Sequence, residues 1–302
     1  MRKILPLLIL TFGQIALPAQ QFDANWPLGI NAYPGQAGYG NVLLHFQPDS
    51  VQIVASDLRM NFETTAAAIS DAEGYLLFYT NGCTIANAAG DTLPGGEELN
   101  PGAVHDWVCP QNGYVSPRGA MFLPAPGNPE NDFYLLHMGM RYAASGGWSY
   151  GPFYFSLIHK NSNGGQGAVS SSNTPLQAEA ALEPFTVVRH GNGRDWWIIV
   201  PEYGSNRYFR FLLSPSGVAD AGSVTMGPQM ACTRLGSSVF SADGHKFART
   251  QNCRTVVFDF DRCTGLLGNP VEFVRPDYVF GGGGVGFDPA GHRLFVSEQL
   301  AI

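Results

Sequence analysis

A hairpin-like pattern recurs along the chain. Ile69–Thr80 reads ISDAEGYLLFYT, Phe240–Thr250 reads FSADGHKFART, and Phe287–Glu298 reads FDPAGHRLFVSE. Each segment has a hydrophobic residue, then Ser or Asp, then a short turn ending in glycine, then a strand-like run. Asp, Asn and Pro initiate turns and Gly adopts positive φ without steric cost, so each segment predicts a β-hairpin. Looser copies occupy Leu123–Met138 and Arg189–Val200.

The spacing of the five copies predicts the fold class. Their turn glycines are separated by 53, 66, 51 and 47 residues: Gly74, Gly127, Gly193, Gly244 and Gly291. The longest interval contains a glycine- and serine-rich insertion at 161–173. A repeat of roughly 50 residues is typical of propeller blades. The sequence therefore predicts an all-β fold, a β-propeller of four-stranded antiparallel blades with four complete units and a truncated fifth. A β-sandwich with accidental hairpin similarity is the alternative.

The N-terminus predicts export. Arg2 and Lys3 precede a short apolar run, Ile4–Phe12, and small residues follow up to a plausible cleavage point after Ala19. Such a segment is typical of a signal peptide and is too short to span a bilayer. We expect a signal peptide at 1–19, lead-in strands at 20–60 and the incomplete propeller at 61–302. The mature protein is expected to be secreted or on the cell surface, with no membrane span.

The charge balance excludes one class of partner. The net charge is −7 and the chain has only three lysines. Nucleic-acid binding requires a basic face, and the sequence offers none. The expected partner is an extracellular protein or a glycan of unknown identity. No cofactor is predicted.

The cysteine count allows disulfides, because exported proteins meet oxidising conditions. The spacing of the five cysteines matches no zinc pattern, and an odd number leaves at least one without a partner in the chain. Cys253 and Cys263 flank a predicted hairpin and form the first candidate bridge. Cys83 with Cys109 is the second.

Several segments resemble known repeats. FSADGHKFA resembles the turn of WD40-like and TolB-type propeller repeats. NFETTAAAISDAEGYLLFYTNGCTIAN, LPAPGNPENDFYLLH and the later repeat segments, in order over Asn61–Ser297, resemble secreted Bacteroidetes proteins. In those proteins a propeller-like region precedes a C-terminal sorting domain of the gliding-motility, type IX secretion kind. The resemblance implies a surface-exposed or secreted protein, further domains C-terminal to this chain, and no catalytic residues that can be carried over.

Two irregular segments are the candidate ligand-binding sites. His105 and Asp106 lie in a connection between units, where propellers carry binding residues. Trp148, Tyr150 and Phe153 belong to a segment rich in aromatics and glycine, and such rings stack on sugars or on partners. The structural alternative is that these side chains belong to the blade core. No calcium-loop or other metal-binding pattern occurs, so no metal site is predicted.

The absence of recognised catalytic motifs favours a non-catalytic recognition or scaffold module. The alternative is a propeller enzyme acting on extracellular glycans, a hydrolase or a lyase, with a charged axial pocket. Five charged residues are available for such a pocket: Arg118, Glu183, Arg189, Glu202 and Arg234. Three or more charged side chains meeting in one axial pocket with shifted pKa values would favour an enzyme, whereas an axis lined by small and apolar residues would count against it.

Overall fold

The computed structural model describes residues 21–30, 40–142, 148–230, 236–251, 254–274 and 284–297, and the side chains of Tyr142 and Trp148 are not among the described groups. The predicted signal peptide lies outside these residues. Across the described ranges, no helix is both long and apolar enough to cross a membrane. The chain is all-β, built from antiparallel sheets of three or four strands.

The lead-in region forms an antiparallel sheet of three strands, the N-terminal sheet: β1 (Asn25–Gly29), β2 (Asn41–Gln47) and β3 (Ser50–Ser56). The Asn25 side chain donates to Ser70 Oγ at 2.8 Å and to the Gly74 carbonyl at 2.7 Å. These two bonds tie the lead-in strands to the turn of the first repeat.

Sheet 1 has three strands where four are predicted: β4 (Ala67–Ser70), β5 (Leu76–Thr80) and β6 (Ile85–Asn87). The fourth strand is replaced by an isolated bridge between Ala86 and Thr92. The chain then forms the short helix α1 (Ala103–Val108). The segment around His105, predicted to be a plain connection, is therefore partly helical.

Three further sheets follow the predicted four-stranded plan, each a simple antiparallel meander. Sheet 2 contains β7 (Ala120–Pro124), β8 (Asp132–Tyr142), β9 (Trp148–His159) and β10 (Ala168–Gln177). Sheet 3 contains β11 (Thr186–Arg189), β12 (Trp196–Pro201), β13 (Arg207–Ser214) and β14 (Gly217–Thr225). Sheet 4 contains β15 (Ser237–Phe240), β16 (Lys246–Gln251), β17 (Arg254–Asp261) and β18 (Leu266–Val274). A final pair contains β19 (Val285–Phe287) and β20 (Leu294–Val296). A 3-10 turn, Asn163–Gly165, precedes β10.

The hairpin turns match the repeat at four of its five positions. Gly74, Gly193, Gly244 and Gly291 all have φ between 71° and 92°. Gly127 does not have positive φ, because Asn128 closes that longer turn instead: its amide donates to the Ala125 carbonyl at 3.1 Å, and its own carbonyl accepts from the Asp132 amide at 2.9 Å. The glycine- and serine-rich insertion is also partly ordered, since its end forms β10.

Consecutive sheets pack face to face. Each neighbouring pair among sheets 1 to 4 meets through an aromatic contact with ring centroids 5.8 Å apart: Phe78 with Phe133, Phe153 with Phe211, and Tyr208 with Phe247. Such a pair contributes about 0.5–1.5 kcal/mol beyond the area it buries. The first strands of successive units also touch, β4 with β7, β11 with β15, and β15 with β19. The core is therefore divided into layers between sheets.

The disulfide joins Cys83 to Cys109, the second of the two predicted pairs. Cys263 is a free, exposed thiol. Cys253 lies outside the described residues, and the extended strand β17 occupies the interval between these two positions. The predicted Cys253–Cys263 bridge is wrong, because Cys263 is a free thiol.

Loss of the disulfide is expected to destabilise the fold by about 2–4 kcal/mol, because the bridge closes a loop in the unfolded chain. The two cysteines are 26 residues apart, and they hold α1 against sheet 1. Urea unfolding of the C83S/C109S variant, compared with a C263S control, measures the effect. Equal unfolding midpoints for C83S/C109S and wild type would contradict this expectation.

Candidate functional site

Charged side chains collect at the end of sheets 2 to 4 where the first strand of each sheet begins. Arg118 lies just before β7, Glu183 lies just before β11, and Gly236 precedes β15. The loop between β12 and β13 reaches the same end, because Arg249 bonds to both Glu183 and the Glu202 carbonyl. We use the name Arg118 face for the following residues: Arg118, Glu183, Glu202, Gly236, Ser237, Arg249 and Gln251.

Arg118 occupies a backbone position that favours glycine. The Gly119 amide donates to the Ser116 carbonyl at 2.9 Å, which closes a four-residue turn with Pro117 second and Arg118 third. The φ of Arg118 is 54°. A turn with proline second and positive φ third is of type II, and its third position normally holds Gly or Asn. A longer side chain there costs on the order of 1 kcal/mol, and such strain clusters at functional sites.

The strained turn carries the Arg118 guanidinium across to sheet 4. It donates to the Ser237 hydroxyl and, at 3.2 Å, to the Gly236 carbonyl. No carboxylate in the described ranges lies within ion-pair distance of it. Arg118 is exposed on one side and enclosed on the other. Burial on the enclosed side lowers its pKa, although an arginine stays charged at neutral pH.

Tyr150 holds the same turn in place through its hydroxyl group. Its hydroxyl donates to the Pro117 carbonyl at 2.8 Å, directly before Arg118. Burial raises the pKa of Tyr150, so the hydroxyl keeps its proton and stays a donor. The tyrosine thus helps to hold the Arg118 backbone in its unfavourable conformation.

A buried ion pair fixes the neighbouring sheets. Arg249 and Glu183 are almost completely buried, and they form two parallel bonds, Nε to Oε2 at 2.9 Å and Nη2 to Oε1 at 2.8 Å. Arg249 also donates to the carbonyls of Ser205 at 2.7 Å and Glu202 at 2.8 Å. Burial opposes the charge on Arg249, but Glu183 outweighs it and raises the pKa of the guanidinium. The pair joins the start of sheet 3 to the second strand of sheet 4.

The carboxylate of Glu183 faces glycine on its other side. A Cβ placed on Gly236 would lie 2.8 Å from Glu183 Oε2, closer than a side chain tolerates. Gln251 donates to Glu183 Oε1. Because the Gly236 carbonyl in turn accepts from Arg118, this glycine connects the buried pair to the exposed arginine.

A second ion pair lies at the rim of the face. Arg207 donates to Glu202 through Nε, at 3.0 Å, and through Nη2. Burial works against ionisation of Glu202, but the bonds from Arg207 and Ser205 outweigh it and lower the pKa of the carboxyl. Glu202 is therefore an ionised carboxylate with part of its surface open to solvent.

The structure brings together part of the predicted charged set. Arg118 and Glu183 both approach Gly236, and the backbone carbonyl of Glu202 accepts from Arg249, whereas Arg189 lies at the opposite end of β11 and Arg234 lies outside the described residues. Arg249, Gln251 and Ser237 belong to the face and were not predicted. The alternation in KFARTQ, which places Arg249 and Gln251 on one side of an otherwise buried strand, was the signal available for them.

The predicted aromatic binding patch is wrong for the two residues whose side chains are described. Tyr150 and Phe153 are both buried in the core. Met138 pairs with Phe153 and Met140 pairs with Tyr150, so a β-bulge adds one residue to β9 and two residues three positions apart both point inward. Trp148 starts β9, and its side chain lies outside the described groups.

His105 and Asp106 both lie on α1. His105 is mostly buried and Asp106 is exposed, with Nδ1 and Oδ1 3.6 Å apart. One ligand atom from each, together with one from Glu98, lies within 4.8 Å of the others. Among the described residues, these three form a candidate metal site by proximity alone.

A buried histidine lies on β8, opposite Ala120 of β7. His137 donates through Nδ1 to Asn100 Oδ1 at 2.8 Å and accepts through Nε2 from Ser156 Oγ at 3.0 Å. Because an amide oxygen only accepts, Nδ1 must carry the proton. Burial lowers the pKa of His137 to about 3, so the ring is neutral in the folded protein.

Acid is expected to weaken the fold through His137. The folded pKa is below the unfolded value of about 6.5, so the unfolded chain binds more protons and stability falls as pH drops below 6.5. The loss amounts to about 2 kcal/mol at pH 5. Urea unfolding at pH 7.5 and pH 5 measures it, with H137Q as the matched variant. An equally large pH effect in H137Q would contradict the assignment.

The fold has relatives among solved structures. One is a "putative 6-phosphogluconolactonase" from Bacteroides uniformis, 14% identical, with a TM-score of 0.51 over 92% of this chain and 76% of that chain. Another is the periplasmic gluconolactonase PpgL of Pseudomonas aeruginosa, 15% identical, with a TM-score of 0.51 over 86% of this chain and 70% of that chain. No family model matches the chain, and no curated protein matches it. At these identities the likeness shows a shared fold.

These relatives correct the functional prediction. The chain was predicted to be a non-catalytic module, or else a glycan hydrolase or lyase. Both solved structures reported above carry the names of lactonases, which are enzymes. The prediction of a module without catalytic activity is therefore wrong.

Proposed function

We propose that this protein is a lactonase-type hydrolase that opens cyclic esters at the Arg118 face. The observation that carries the proposal is the strained, partly exposed guanidinium of Arg118, which has no carboxylate partner in the described ranges. The backbone conformation of this turn does not require arginine, because glycine or asparagine adopts it at lower cost. The names of the fold relatives supply the class of reaction.

Ring opening requires stabilisation of negative charge on one oxygen. Water adds to the lactone carbonyl carbon, the ring C–O bond breaks, and the ring oxygen takes up a proton. The product is a hydroxy acid, which releases one proton at neutral pH. In the proposed site Arg118 donates to the carbonyl oxygen as its negative charge develops, a contribution typically worth about 10²–10³ in rate.

The neighbouring groups have distinct proposed roles. Glu202, ionised and partly open to solvent, accepts the proton of the attacking water. Glu183 and Arg249 are buried and act as positioning residues, because they fix the Gly236 segment that Arg118 contacts. Tyr150 positions the Arg118 turn from the other side.

We further propose a radial arrangement of the sheets as propeller blades, in a protein that acts outside the cytoplasm. Support for the blades comes from the four-stranded meanders and from the contacts between successive first strands. Support for the location comes from the predicted signal peptide, the Cys83–Cys109 disulfide and the periplasmic relative. The secreted Bacteroidetes resemblance, further C-terminal domains and an extracellular partner remain predictions.

Proton release in a pH-stat tests the proposed reaction. The substrates are δ-gluconolactone, its 6-phosphate and the linear ester phenyl acetate. We expect saturable opening of at least one lactone, about 10²-fold or more above the buffer rate, with little effect on the linear ester. R189Q, which alters an arginine at the opposite end of β11, is the matched control and keeps the activity. Rates equal to buffer for both lactones would overturn the proposal.

A further inference from the structure

A cavity of about 400 Å³ lies between the first strands of sheets 3 and 4. Val187 and Arg189 of β11 line one wall, and Val239 and Phe240 of β15 line the other. β15 begins beside Arg118, and the cavity extends to the turn that follows its other end, so the two sites are distinct. The volume lies in the range of small-molecule sites, about 300–1,000 Å³.

The turn at the mouth of the cavity is rigid. Asp243 Oδ1 accepts from the Ser241 hydroxyl at 2.6 Å and from the His245 amide at 3.0 Å. A Cβ on Gly244 would lie 2.6 Å from a methyl of Val188, so the turn packs directly against β11. The cavity is therefore preformed, which lowers the entropic cost of binding.

Arg262 places a positive charge in the wall. Its guanidinium donates to the carbonyls of Arg189 at 2.9 Å, Asp243 at 3.1 Å and His190 at 3.3 Å. All these acceptors are neutral, and among the described residues no carboxylate oxygen lies within ion-pair distance of Arg262. An arginine offers five N–H groups, so its fork keeps donors for a ligand.

The rest of the lining sets the charge and the shape of that ligand. Arg189 and Arg262 contribute two positive charges and Asp243 one negative charge, so the lining is positive by one. Asp243 is held ionised, since the bonds from Ser241 and His245 lower its pKa. The valines and Phe240 present apolar surface.

We propose that this cavity binds a small monocarboxylic acid with an apolar body. The carboxylate pairs with the guanidinium of Arg262, and the apolar part lies against Val187, Val239 and Phe240. A doubly charged phosphate ester fits less well, because Asp243 shares the lining. The proposal stands apart from the proposed lactonase activity and is tested by binding alone.

Isothermal titration of the whole chain at pH 7 tests the proposal with three probes: 3-phenylpropionate, its neutral amide and phenyl phosphate. We expect the acid to bind about tenfold or more tightly than the amide and than the phosphate. R262Q should lose the preference for the acid over the amide.

Two matched tryptophan variants locate the site without removing a charge. Ala242 is exposed at the mouth of the cavity, and Ala290 is exposed at the comparable turn before β20. A242W is expected to weaken acid binding about tenfold or more, whereas A290W binds as wild type does. The proposal is overturned by absent binding of the acid, by equal affinity for acid and amide, by tighter binding of the phosphate, or by equal affinities of A242W and A290W.

Discussion

Replacement of Arg118 by glycine is expected to abolish lactone opening while the protein stays folded. The φ of 54° is costly for arginine and free for glycine, so R118G relieves strain and offsets the two hydrogen bonds that it removes. The free energy of unfolding should change by less than about 1 kcal/mol. Turnover should fall about 10²–10³-fold, the usual effect of removing one donor to a developing oxyanion.

The R118K variant distinguishes the effect of the positive charge from the effect of the guanidinium geometry. R118K keeps the positive charge but loses the planar fork that reaches both Ser237 and Gly236. We expect it to retain substrate binding better than turnover, so that kcat falls more than KM rises. Full activity in R118G, with an unchanged melting temperature, would show that Arg118 has no role in the reaction.

Removal of one partner of the buried ion pair is expected to destabilise the protein by about 3–5 kcal/mol. In E183L the guanidinium of Arg249 remains buried with carbonyl partners alone. In R249M the carboxylate of Glu183 is left without a cation. Because the pair joins sheets 3 and 4, the loss should appear in the global unfolding transition. Urea unfolding at neutral pH measures both variants.

Two further variants, E183L/R249M and E202Q, show whether the loss of stability comes from the unpaired buried charge. E183L/R249M removes both charges, and we expect it to recover most of the stability lost in either single variant. E202Q breaks the partly exposed pair with Arg207 and should cost less than about 1 kcal/mol. Single variants of the buried pair that unfold like E202Q would contradict the buried-clamp interpretation.

The fold was predictable to the extent that local turn chemistry determined it. Asp71 and Gly74 form the first hairpin as the sequence indicates, with the Asp71 carboxylate accepting from the Tyr75 amide at 2.8 Å. Sheet 1 departs from the repeat because the Ala86–Thr92 bridge and α1 replace its outer strand. The sequence repeat therefore could not predict the structure of this unit after its third strand, where the chain no longer follows the repeat.

The site was less predictable, because its residues converge from distant positions. Arg118 reaches Ser237 across 119 residues of sequence, and Glu183 meets Arg249 across 66. The sequence identified candidate charged residues but did not show which of them contact one another. The aromatic patch failed for a related reason: a bulge in β9 changed which face Tyr150 and Phe153 occupy, and single-sequence periodicity does not reveal bulges.

Direct binding of a δ-lactam tests the central claim, that Arg118 contacts the carbonyl of a cyclic substrate. A lactam has the ring and the carbonyl oxygen of the lactone but resists hydrolysis, so its affinity is measurable by titration. We predict that wild type and R189Q bind the lactam equally and that R118G binds it about tenfold or more weakly. Equal affinities of R118G and wild type would contradict the account.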